Sequence, residues 1–139
     1  MKSITTYQIG FAALAIGITI LFRYLLTFFL NQQQYVLTWI LAALYFVCMF
    51  STGWYFGKKA NQSLPIASLT FRLHLYTFII FSFISLLWFK LNLTGVHENF
   101  ESFKTGTFIW LVILLLHFGM YLLKGRNTIK GIAKTDIFE

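Results

Sequence analysis

Residues 65–89 read PIASLTFRLHLYTFIIFSFISLLWF, an apolar run long enough to cross a bilayer that also carries two ionisable side chains close together, Arg72 and His74. In hydrocarbon the backbone polar groups must be satisfied within the segment itself, so such a run is helical. A cation inside it then needs a partner, a cavity or a route to the interface. Whether this stretch spans a membrane decides the fold class of the whole chain.

The rest of the composition agrees with a span. Hydrophobic residues make up 58% of the 139, aromatics 20% and charged residues only 11%, whereas soluble domains carry about 25% charged residues. The mean hydropathy is +0.74. Three further apolar runs flank the first, at about 7–30, 35–57 and 107–123, and the quoted run extends from 65 to about 91. Each is close to the roughly 20 residues that a bilayer requires. The expectation is an all-α integral membrane protein, one domain built as a four-transmembrane-helix up-and-down bundle, with a short basic tail over 124–139. The first run exceeds the apolar core of a signal peptide, and the NQQQ that follows at 31–34 offers no small-residue cleavage site, so it reads as an uncleaved helix.

The formal net charge of +7 would suggest nucleic acid in a soluble chain. Here the basic residues flank apolar runs, so they read as orientation and lipid-headgroup signals, and nucleic acid is not expected as a partner. Lys2, Lys58, Lys59, Arg72, Lys124, Arg126, Lys130 and Lys134 fall on the side of the amino terminus, while Lys90, Lys104 and Arg23 belong to the other. Both termini are therefore expected in the cytoplasm, and the protein in a cell inner (plasma) membrane as a multi-pass chain. In the tail, Ile129, Ile132, Ala133 and Ile137 recur at helical spacing between lysines, a pattern that suits either a short amphipathic helix on an anionic leaflet or a disordered basic end.

Small residues mark two candidate packing faces. Ala13 and Gly17, with Gly10 ahead of them, would admit another backbone close to the first helix, and Gly53 and Gly57 repeat that spacing on the second. Cys48 is the single cysteine, so no intramolecular disulfide forms.

Chemistry has few carriers. There is no HExxH, GxSxG or Walker-type loop, no cysteine cluster and no paired carboxylate inside a span. His74 and His117 lie on neighbouring antiparallel runs, each roughly 10 Å deep from the same face at a rise of about 1.5 Å per residue. Facing imidazoles at matched depth suit axial haem ligation, with Arg72 meeting a propionate, or a quinone head group, and the alternative is ordinary hydrogen bonding to neighbouring Ser, Tyr or carbonyl groups. Arg23 lies inside the first run, where it either snorkels to the interface or pairs with an acid of the 90–106 segment, Glu98 or Glu101.

These residues support three functional expectations. The first is a non-catalytic accessory or interaction subunit contacting membrane lipids, other membrane subunits or a second copy of itself. The second is a bis-histidine haem- or quinone-binding redox protein. The third is a small oligomeric transporter or channel for an anionic or neutral solute, with Arg23 on an anion path. Topology is directly measurable: reporter fusions after Lys59 and at Glu139 should read out the cytoplasm, and a fusion near His97 the opposite face. A carboxy terminus on the far side would overturn the arrangement.

Overall fold

The computed structural model describes residues 4–61 and 68–130, which form four helices: α1 (Ile4–Asn31), α2 (Tyr35–Asn61), α3 (Ser68–Lys90) and α4 (Phe100–Lys130). There is no strand among the described residues. All four helices are long and apolar enough to cross a membrane. Pro65, expected to open the third helix, and the tail beyond residue 130 lie outside the described residues.

α2 runs four residues past the expected 57, to Asn61, and α4 exceeds its expected bounds at both ends. α4 begins seven residues before the expected Thr107, inside a stretch that reads as polar. Asn99 caps it, its Oδ1 accepting the Glu101 N–H at 2.9 Å, and Glu101 supplies a carboxylate in the first turn. Phe100 and Phe103 then pack on Phe89 of α3, with ring centroids 5.2 and 5.4 Å apart. The helix also runs on to Lys130 instead of stopping at 123, and no proline interrupts that stretch.

The ends of α1 and α3 are closed in the same way. The Gln34 N–H reaches the Phe29 carbonyl at 2.9 Å and the Gln33 N–H reaches Leu30 at 3.0 Å, with Gln33 in the left-handed region at φ 58°. Leu93 and Asn92 repeat the pattern on Trp88 and Phe89 at 3.0 and 3.1 Å, with Asn92 at φ 54°. Both are Schellman closures, which satisfy carbonyls that the last helical turn leaves unpaired. Asn is among the side chains that tolerate this conformation, whereas Gln gains no such allowance.

α1 is the innermost helix. It packs on α2 and α3, whereas the backbone of α4 comes close only to α3. Among the described residues four side chains of α1 are buried and in α4 only Leu114 is, so α4 is the peripheral element and the bundle is open on one side. Phe11, Ala15, Thr19 and Arg23, four residues apart, form the buried line of α1. Met49 and Leu73 pack against its inner part, with Tyr45, Phe56 and Tyr76 around them. Thr19 Oγ1 donates to the Ala15 carbonyl at 2.7 Å, which leaves the Tyr45 hydroxyl to donate to Thr19 across 3.2 Å.

The small-residue faces expected to pack do so only in part. A Cβ on Gly10 would come within 3.0 Å of the Phe56 ring, so this glycine does seat a neighbour. Ala13 is exposed, and a Cβ on Gly17 or on Gly53 would meet nothing within 4 Å. The buried line lies on another face of α1, where a guanidinium and a threonine hydroxyl require interior partners that Ala13 and Gly17 do not. Most large apolar side chains point outward, Trp39 at 78% and Phe46 at 69% exposure among them, as expected where lipid is the solvent.

Gly95, in the connection between α3 and α4, is buried. A Cβ there would collide with Asn31 Oδ1, the atom that accepts the Val96 N–H at 3.1 Å. Gly95→Ala should therefore lower stability by about 1–3 kcal/mol, the cost of shifting Asn31 and the loop to admit the added methyl. Thermal unfolding in detergent measures it. In an Asn31→Ala background most of the penalty should vanish, since the two residues share one contact.

Candidate functional site

The chemistry gathers at the end of the bundle that carries the 31–35 turn and the 91–99 connection. Arg23 sits eight residues before the end of α1, roughly 12 Å inward at 1.5 Å per residue. It is 4% exposed. Its partner descends from the connection: Arg23 Nη2 lies 2.5 Å from Glu98 Oε2, and both side chains are nearly fully buried.

Glu98 is held on every side. Its own N–H bonds the Gly95 carbonyl at 3.1 Å, closing a tight turn that folds the carboxylate back onto the Gly95 N–H at 3.2 Å. Oε1 also accepts the Thr27 hydroxyl at 2.5 Å, and Trp88 Nε1 donates to Thr27 Oγ1 at 3.1 Å. The Arg23 guanidinium carbon stands 5.4 Å above the Phe89 ring. A charged pair placed in apolar surroundings is tolerable only when its remaining lone pairs and protons also find partners, and here the carboxylate end meets that condition.

The guanidinium end does not. Arg23 Nε is buried without a hydrogen-bond partner among the described residues. Arg23 also lines a cavity of about 860 Å³ that extends between α2 and α4, whose backbones, like those of α1 and α4, do not approach each other. Phe46, Met49 and Phe50 of α2 and Phe103, Trp110 and Ile113 of α4 form much of its wall, so most of it is apolar. Polar groups enter at the connection end through Arg23, Glu98, His97, Asn99, Ser102 and Thr107, and His74 contributes from α3.

The remaining sequence candidates separate. Glu101 does not reach Arg23; it points outward from α4 and pairs with Lys104 at 2.7 Å on the exposed surface. The helical start at Phe100 places it there, one turn beyond the connection that carries Glu98. His97 is exposed, with its ring 6.4 Å from that of Tyr35. His74 and His117 are neighbours, ring centroids 5.2 Å apart in an edge-to-face contact, and Phe71 stacks beside His117 at 6.2 Å. Two axial bonds of about 2 Å each must hold a macrocycle between the rings. The rings touch edge to face, so they would have to part to admit one. Arg72 is exposed and makes no ion pair among the described residues. No three His, Cys, Asp or Glu side chains gather to hold a metal ion among them either.

Sequence reasoning passed over Thr27, Trp88, Gly95, Asn31 and Thr107. The one local signal was a glycine three residues before Glu98 in a polar segment, a spacing that lets a tight turn fold a carboxylate back onto an amide. No protein family matches the chain, no curated protein is similar to it, and no solved structure matches it.

Truncating one member of the pair should be far worse than replacing both. Arg23→Leu leaves Glu98 as a buried, uncompensated carboxylate and should cost about 3–5 kcal/mol, whereas Arg23→Leu combined with Glu98→Leu should recover most of the loss. Thermal unfolding of the three proteins in detergent decides this, and an Arg23→Leu protein as stable as the parent would show that the pair does not organise the fold.

Proposed function

We propose that this chain is a non-catalytic accessory protein of the inner (plasma) membrane, multi-pass with both termini in the cytoplasm, that holds a long apolar molecule drawn from the bilayer. The observation that carries the reading is the cavity between α2 and α4. Ligand sites are typically concave and largely apolar, about 300–1,000 Å³ in volume, with a few convergent polar groups that set orientation. The cavity fits that description, and most of its polar groups, Arg23, Glu98, His97, Asn99, Ser102 and Thr107, lie toward one end. Because α4 is close only to α3, a ligand can enter sideways from the acyl-chain region without crossing the headgroups.

Other observations weigh against the alternatives. An anion path along α1 needs an arginine free to exchange partners, yet Glu98 already occupies Arg23 and is itself fixed by Thr27 and Gly95. Haem ligation by His74 and His117 needs the two rings to part first. The exposed faces of α2 and α4 remain available for lipid or for a membrane partner.

Purification from membranes provides the test. An organic extract of the purified protein should contain one hydrophobic compound enriched over bulk lipid, near one per chain by mass spectrometry. Ala42→Trp, which fills the cavity wall, should remove it, while Ala43→Trp, on the exposed face of the same helix, should not. No enrichment, or equal enrichment in all three proteins, would sink the proposal.

A further inference from the structure

Most buried or helical threonine hydroxyls in this protein have a partner, and one does not. Thr19, Thr38, Thr52, Thr77 and Thr105 each donate to the carbonyl four residues earlier, at 2.7 to 3.1 Å. This is the usual way for a helical hydroxyl to be satisfied away from water. Thr107 does not: its Oγ1 is buried and has no partner among the described residues. It lines the same cavity as Arg23, whose Nε–H is likewise buried and unpartnered. Thr107 is seven residues into α4, roughly 10 Å from the connection end, and Arg23 is roughly 12 Å from it, so the two donors stand at matched depth. Gln8 Nε2, Ser82 Oγ and Ser85 Oγ are also buried without a partner among the described residues, but of these five atoms only Arg23 Nε and Thr107 Oγ1 belong to residues lining this cavity, and two donors on one wall call for an acceptor from outside the chain.

The charge balance selects the acceptor. Glu98 already neutralises Arg23, so a second anion would face a buried carboxylate in a medium where repulsion is poorly screened. We infer that the cavity binds an uncharged amphipath whose ring or chain carbonyl accepts hydrogen bonds from Arg23 Nε and Thr107 Oγ1, an isoprenoid-quinone-like molecule with its tail along the groove between α2 and α4. This inference rests on the reading of the cavity as a ligand site and names the chemistry of its occupant.

Three probes with one chain length separate the two statements: 2-decyl-1,4-benzoquinone, decylbenzene and 4-decylbenzoate, titrated against the full-length protein in nanodiscs. Dissociation constants come from the ligand-dependent rise in unfolding temperature. The quinone should bind about tenfold more tightly than either of the others, the gain of one or two hydrogen bonds to a charged and a neutral donor. Thr107→Val should weaken quinone binding about fivefold and leave decylbenzene unchanged, while raising the unfolding temperature of the unliganded protein because an orphan hydroxyl is replaced by a methyl. A hydroxyl with a purely structural role could not move the two readouts in opposite directions. Arg23→Lys keeps the charge opposite Glu98 but removes Nε–H, and should also erase the quinone preference. Equal affinity for quinone and decylbenzene would overturn the carbonyl site while leaving a hydrophobic ligand site standing. Tightest binding of the benzoate would replace it with an anion site. No binding of any probe, with Ala42→Trp indistinguishable from the parent, would bring down the cavity reading itself.

Discussion

A charge buried in an apolar layer has to be answered, and in this protein Arg23 is answered by Glu98. The two stand 75 residues apart in the chain, so their meeting fixes how the α3–α4 hairpin sits on α1. The rest of that end follows from it. Glu98 can reach inward only because the connection turns tightly at Gly95, Gly95 must be glycine because Asn31 presses against it, and Thr27 is oriented by Trp88 to take the other carboxylate oxygen. Without water to drive apolar surfaces together, close packing and such polar contacts are what specify one arrangement of helices over another.

The pair also explains why α4 can be peripheral. It has little packing beyond α3 along its length, but its first turn is anchored by Phe100 and Phe103 on Phe89 and by the Glu98 turn just before it. One end is pinned and the other faces of the helix are free. The groove toward α2 is the geometric result, with the polar fixings toward one end and aromatic walls along its length.

Class and helix number were legible because they depend on sums over long windows, in which 58% hydrophobic residues leave no other reading. Arg23 was legible as a suspect for the same reason: a cation in a long apolar run stands out without any knowledge of neighbours. Its partner was narrowed only to two acids, since the choice depends on where α4 begins. Asn99 and the Phe100–Phe103 pair start that helix early, sending Glu101 outward to Lys104 and leaving Glu98 in the turn. Rotational phase was not legible at all. The hydrophobic pattern runs nearly all round each helix, as it does where both lipid and protein are apolar, so nothing in the sequence told that Ala13 and Gly17 face outward while Phe11, Ala15 and Thr19 face in. The gap between α2 and α4 is a non-contact, and a single sequence has no signature for one.

The long separation of Arg23 from Glu98 bears on how the chain matures. A ribosome delivers α1, α2 and α3 before it delivers residue 98, so for most of synthesis the guanidinium has no acid to meet. In that interval its flexible stem can carry it toward the headgroups, and the first three helices can associate without committing the end of the bundle. Arrival of the 91–99 turn then converts a tolerated cation into a locked one. The last step in ordering this end of the bundle is thereby a contact made by a connection between helices and not by any one helix: without Glu98 the arginine of α1 stays unanswered.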